Sequence, residues 1–166
     1  MLADSYIVPE CVFGPGSFGG LMALYESNYI RLMSLLGTSD ITCGTELSSS
    51  SADDEDLFLS VESLSRYTQV LRLTYQFDEP EGYVADPDLR IRVYLDARMT
   101  EVVSWAGHHR HEVLRALHRC VSRRVGQCWR RNMVLSKWLD FLLDKDHSFQ
   151  SISHCRDSAI RIETVR

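Results

Sequence analysis

The chain has 166 residues, 45% hydrophobic and 25% charged, with a formal net charge of −5. That length holds one domain with a real core; the composition excludes wholesale disorder, and the acidic balance argues against a dedicated nucleic-acid binder. Five cysteines without a C-x-x-C pair suggest neither a disulfide framework nor a zinc ribbon.

The first ten residues, MLADSYIVPE, lack a basic segment followed by an apolar one, so they do not form a secretory signal. No apolar run approaches the roughly 18–20 residues of a membrane span. The expected setting is a reducing cytoplasm, with no membrane partner. Residues 1–16 carry prolines and glycines without a sustained period and read as an irregular leader. GPGSFGG matches G-x-G-x-x-G at Gly14, Gly16 and Gly19, but no βαβ unit surrounds it, so a dinucleotide site is not expected.

Over residues 18–36, Phe18, Leu21, Met22, Tyr25, Tyr29, Leu32, Met33 and Leu36 form the stripe of a helix with one buried face. Ser17 suits its N-cap and Gly37 its C-terminal stop. Residues 41–47 give a weak edge-strand pattern, and 48–56 (SSSSADDED) read as a polar acidic loop. Leu57, Leu59 and Val61 then alternate with Phe58 and Ser60. Leu71, Leu73, Tyr75 and Phe77 share one strand face, with Val70, Arg72, Thr74 and Gln76 on the other. Residues 78–87 (DEPEGYVADP) read as a turn-rich connection.

Residues 90–104 (RIRVYLDARMTEVVS) form a β-hairpin turning near Asp96-Ala97-Arg98. Leu89, Ile91, Val93 and Leu95 line one face, and Arg90, Arg92 and Tyr94 the other. A helical period continues over 105–131, and Met133, Val134, Trp138, Leu139 and Leu142 mark a further amphipathic helix over 132–143. The expected fold is α+β: an antiparallel meander of about four strands, with N-terminal and C-terminal helices packed on one face. Residues 17–143 are the domain, and 144–166 a polar tail with a short strand pattern at 159–162.

Two of these stretches carry a resemblance. Tyr25-Glu26-Ser27-Asn28-Tyr29-Ile30-Arg31-Leu32-Met33 is similar to an E-x-N-[FY]-x-[RQ]-L pattern, and Val93-Tyr94-Leu95-Asp96-Ala97-Arg98-Met99-Thr100-Glu101-Val102-Val103 to V-Y-H-D-A-x-M-x-E-V. Both patterns belong to the YqiB-like proteobacterial proteins of unknown function; Arg66-Tyr67-Thr68 and Trp138-Leu139 follow in the same order. The resemblance implies a bacterial cytoplasmic protein with no established activity. It fails at 115–129 (RALHRCVSRRVGQCW), where the family carries a Tyr-Pro-Asn turn and an acidic stretch, and at Leu95, where many members have His.

Glu101 is the sharpest candidate site residue. A three-residue loop pairs Leu95 with Met99 and Val93 with Glu101, placing the carboxylate among apolar side chains, where burial is costly unless it is paired. A two-residue loop pairs Leu95 with Thr100 and sets Glu101 opposite Tyr94, diagonal to Arg92. There it forms a cross-strand pair contributing about 0.2–1 kcal/mol. The surface arrangement is the more economical.

Seven arginines between Arg110 and Arg131, Arg119 and Arg123 among them, face a single acid, Glu112. Such a stripe suits phosphate contacts, a protein partner, or pairing with this chain's own acidic N-terminal half. His108, His109, His111, His118, Cys120 and Cys128 do not sit at helical ligand spacing, so no metal is expected. Asn28, on a helix face beside Tyr25 and Tyr29, is more economically a hydrogen bond between helix and sheet than a ligand contact.

No nucleophile has a base at motif spacing, so no catalytic residue and no cofactor is assigned. The expectation is a non-enzymatic interaction or regulatory module with a protein partner, using Arg72, Arg90, Arg92, Tyr94 and Glu101 or the arginine-rich stretch. The alternative is a binder or hydrolase of an anionic ligand, a phosphorylated small molecule or nucleotide.

Overall fold

The computed structural model describes residues 16–38, 41–79, 82–105 and 124–149. Helix α1 (Phe18–Leu36) begins and ends on the expected residues. Ser17 Oγ accepts the Gly20 N–H, and Gly37, at φ 60°, donates its own N–H to the Met33 carbonyl at 2.9 Å. The buried face differs from the expected stripe: Leu24, Asn28 and Leu35 lie inside, whereas Phe18 is exposed. The helix carries two overlapping apolar stripes, and the leucine-rich one faces the core.

Five strands follow in a meander: β1 (Glu46–Ser51), β2 (Asp54–Leu64), β3 (Thr68–Glu79), β4 (Gly82–Tyr94) and β5 (Met99–Trp105). They pair antiparallel in the order β1-β2-β3-β4-β5. Helix α2 (Arg124–Asp144) closes the domain. Leu32, Leu35 and Leu36 of α1 and Leu135, Trp138, Leu139 and Leu142 of α2 pack on Leu57, Leu59, Leu71, Leu73, Leu89, Ile91 and Val93. The α+β meander with helices on one face is therefore the fold, with one strand more than expected.

The additional strand, β1, is drawn from the serine-rich stretch expected to be a loop. Its side chains alternate: Leu47 packs on the core and Ser49 is buried, while Glu46 and Ser48 are exposed. A G1 bulge sets its register, since Gly44 (φ 81°) donates to the Val61 carbonyl and Val61 donates back to Thr45. A positive φ at that point suits glycine. Polar composition hid the strand because only one of its faces meets the core, and a serine fills half of that face.

Residues 78–87 are not a long connection either. β3 runs to Glu79 and β4 starts at Gly82, with Pro87 placed where the β3–β4 register shifts, a position that does not require its missing N–H.

The β4–β5 hairpin adopts neither of the two registers considered. Tyr94 pairs with Met99, Val93 with Thr100 and Arg92 with Glu101, around four turn residues, 95–98. Two contacts lengthen the loop. Leu95 donates its N–H to the Tyr67 carbonyl, which ties it toward β3, and Arg98 closes the turn at φ 51°. The face of Glu101 is the polar one, as in the two-residue alternative.

α2 is one helix from Arg124 onward rather than a break near residue 131. Residues 145–149 are not free tail: His147 and Phe149 are buried, and Phe149 donates its N–H to the Leu35 carbonyl at 3.0 Å. The leader, the basic stretch at 106–123 and the strand pattern at 159–162 lie outside the described residues.

One buried junction joins both helices to the edge of the sheet. Asn132 Oδ1 accepts the Val102 N–H (3.1 Å), its Nδ2 donates to the Cys128 carbonyl (2.9 Å), and Asn28 Nδ2 donates to the Asn132 carbonyl (3.1 Å). Asn28 thus holds helix to helix, and the bond to the sheet falls to Asn132. Replacing Asn132 by Ala leaves a buried edge amide unpaired, so Asn132→Ala is expected to cost about 2–3 kcal/mol in urea unfolding. Asn28→Ala should cost less, since only one of its polar atoms has a partner. A smaller loss for Asn132→Ala than for Asn28→Ala would contradict this account.

Candidate functional site

Strand alternation fixes the polar face of the sheet. With Leu71, Leu73, Leu89, Ile91 and Val93 wholly buried, Arg72, Arg90, Arg92 and Tyr94 project to the other side. Arg72 and Arg90 stand directly opposite each other on β3 and β4. Like charges so placed repel, and two acids offset them. Arg72 grips Asp88 with two bonds, Nε to Oδ1 at 2.7 Å and Nη2 to Oδ2 at 2.6 Å, and Arg90 Nε binds Glu62. The Asp88 hydrogen bond is the main cause of a raised Arg72 pKa. An open groove of about 320 Å³ runs over these four side chains, with Ser104 and Trp105 completing its lining.

Glu101 lies beyond the groove at the edge strand, opposite Arg92. Its side chain is 23% exposed, neither sealed in the core nor free in water. Tyr94 donates to Oε1 at 2.7 Å, Arg92 Nη1 lies 3.5 Å from the same oxygen, and Tyr25 of α1 donates to Oε2 at 3.4 Å. The carboxylate therefore binds helix to sheet as well as strand to strand.

Burial is the first cause of the raised Tyr25 pKa and the Glu101 charge the second; Tyr94 is raised first by burial and then by its hydrogen bond to Glu101, with Arg92 opposing. Both phenols consequently remain donors at neutral pH. Of the sequence candidates, the fold brings Arg92, Tyr94 and Glu101 together, keeps Arg72 in the neighbouring groove, and places Asn28 in the buried junction. Arg119 and Arg123 lie outside the described residues.

A second cluster escaped the sequence entirely. His147 Nδ1 meets Ser49 Oγ at 3.2 Å, and its Nε2 meets Asp54 Oδ2 at 3.1 Å. Tyr75 donates to the same Asp54 oxygen at 2.5 Å, and the Ser148 N–H donates to Ser49 Oγ at 3.0 Å. Serine, histidine and aspartate together invite comparison with a hydrolytic triad.

Three facts speak for a clasp instead. The His147 side chain is fully buried, Ser49 is buried too, and the Ser49 oxygen is already engaged by a backbone amide. The cluster fastens residues 147–148 to β1, β2 and β3, aided by Ser51 Oγ donating to the Lys145 carbonyl. No local spacing could announce it, because Ser49 and His147 lie 98 positions apart.

Removing the ring empties a buried site and takes one partner from Asp54 and one from Ser49 at once, so His147→Ala is expected to destabilise the chain by about 2–4 kcal/mol. Ser49→Ala should cost roughly half as much, both read by denaturant unfolding; equal stability of His147→Ala and the parent would refute the clasp.

Tyr25 and Tyr75 are each raised above the ordinary tyrosine value of 10.0, Tyr75 mainly by burial and then by its bond to Asp54. A raised folded-state pKa gives stability that is complete below the unfolded value and is lost as pH rises past it. The native chain is therefore expected to unfold in alkali, with part of its phenolate absorbance appearing only together with the loss of structure. Full tyrosine ionisation near the ordinary value, with the fold intact, is the contrary result.

Comparison with known proteins gives one finding. A family model described as "Protein of unknown function (DUF1249)" matches residues 31–148. No curated protein and no solved structure matches the chain. The matched stretch takes in the polar sheet face, Glu101 and the His147 clasp but starts inside α1, after Tyr25 and Asn28. It covers all five strands and the whole of α2, and on that extent the chain belongs to the DUF1249 family of proteins of unknown function.

Proposed function

We propose that this chain is a non-enzymatic interaction module, cytoplasmic and of the YqiB-like bacterial type, that docks a protein partner on the polar face of its sheet. One observation carries the reading: the charges there are balanced within the face. Arg72 has Asp88, Arg90 has Glu62 and Arg92 has Glu101. A site built for a highly charged small molecule keeps its counter-charges unpaired for the ligand. A face of neutralised pairs suits a broad protein contact, where charge pattern sets register and excludes wrong partners. The groove across these strands is open to solvent rather than enclosed, which favours a surface contact over an enclosed ligand site.

The second reading, an anionic ligand, rests on the Arg72–Arg90 juxtaposition, since each guanidinium retains donors beyond those its acid accepts.

The test starts from a partner captured with the full chain and then purified. Arg72→Glu combined with Arg90→Glu is expected to weaken its binding at least tenfold, while Lys137→Glu on the exposed side of α2 leaves it unchanged. Binding indifferent to the double variant would remove the sheet face from the interaction. Thermal stabilisation by inorganic phosphate or a nucleotide, abolished by the same double variant, would favour the second reading.

A further inference from the structure

A sheet with two edges offers two rows of backbone groups to solvent, and proteins usually blunt both. In this chain α2 engages the β5 edge at Val102 and Val103. Asn132 Oδ1 takes the Val102 N–H, and Arg131 Nη1 donates to the Val103 carbonyl at 3.3 Å. The β1 edge is different. The Thr45–Val61 bond at its start, with Leu47 opposite Leu59 and Ser49 opposite Leu57, sets the alternation of the β1–β2 ladder. Glu46 and Ser48 therefore turn their N–H and C=O groups away from β2. Among the described residues, nothing bonds to them. The strand reads ELSSSS, without the lysine, proline or inward charge that commonly protects an edge.

We infer that β1 is the docking edge for a second copy of this chain, the two copies forming a two-fold dimer whose sheet runs unbroken from one to the other. The strand is complementary to itself when reversed. With Ser48 on the two-fold axis, its outward N–H and C=O meet those of Ser48 in the second copy, and Glu46 stands opposite Ser50. A serine hydroxyl then faces a carboxylate, and no like charges oppose each other. On the core side Leu47, only partly buried in one copy, gains cover. Because a two-fold pairing uses the β1 edge of both copies and α2 engages the β5 edge, addition at β1 stops at two copies and gives a closed isologous pair rather than a fibre. A contact along six residues is small, so the dimer is a reversible one.

Sedimentation velocity on the full chain, from roughly 10 µM to 1 mM, is the test. The parent is expected to pass from monomer to dimer over that range. Ser48→Pro removes an amide that β2 does not use, and Ser48→Lys places two cations on the axis. Each should weaken dimerisation at least tenfold with the thermal midpoint retained, whereas Ser34→Lys on the exposed side of α1 should have no effect. Ser48→Lys keeps the test decisive even where the proline variant misfolds. A parent that stays monomeric throughout, or a dimer that Ser48→Lys leaves intact, overturns the inference. The latter outcome, combined with loss of the dimer in Arg90→Glu, would move the contact to the sheet face.

Discussion

The structure turns on one amide. The Val102 N–H points outward from the edge strand β5, where water or a further strand would ordinarily meet it. Instead Asn132 accepts it from α2, and the backbone carbonyl of that same residue receives the Asn28 side chain from α1. Both asparagines are fully buried, so each of these bonds is made where water cannot replace it. The consequence is geometric. α2 cannot shift along the sheet without orphaning the edge, and α1 cannot shift without losing α2. Arg31 of α1, bonded to Asp140 two turns further along α2, continues the same alignment at the surface.

With the helices fixed on one side, the opposite face of the sheet is left to charge. Its arginines are each answered by an acid, on the adjacent strand for Arg72 and Arg92 and across β3 on β2 for Arg90, which relieves the Arg72–Arg90 opposition and leaves a patterned, nearly neutral surface. Glu101 belongs to both sides of this arrangement. Its carboxylate accepts from Tyr94 on the polar face and from Tyr25 of the helix layer, so it couples the exposed face to the buried junction. At the other end of the sheet, His147 plays a comparable joining role. It secures the chain after α2 to the β1–β2 hairpin through hydrogen bonds centred on its fully buried ring. A serine, a histidine and an aspartate in contact are thus accounted for by attachment, since the Ser49 oxygen, both His147 nitrogens and Asp54 Oδ2 all have internal partners.

Much of this was legible from residue order. The caps of α1, the alternation along β2, β3 and β4, and the apolar stripe of the last helix are local patterns. They held because a strand repeats every two residues and a helix every 3.6 in any context. Among the differences, three share one origin. Residues 48–51 of β1 read as loop because Ser49 stands where an apolar residue is expected, and only His147, far along the chain, explains it. The 78–87 stretch reads as a turn because its proline falls at a register shift that the partner strand creates. The hairpin loop is one of four residues because Leu95 is held by Tyr67 of the neighbouring strand connection.

The sequence by itself therefore determined the α+β class, the faces of β3 and β4 and the position of Arg72, Arg92 and Tyr94 on the polar side. These follow from periodicity, and periodicity is a property of the backbone. The tertiary structure alone decided which charges meet, which face Glu101 takes and that it reaches back to α1, that His147 fastens a serine strand, and that α2 bonds to one sheet edge while, among the described residues, the outward groups of the other have no partner. Those outcomes depend on polar groups distant in sequence finding one another away from water, and a contact made across some hundred residues leaves no trace in the spacing of its members.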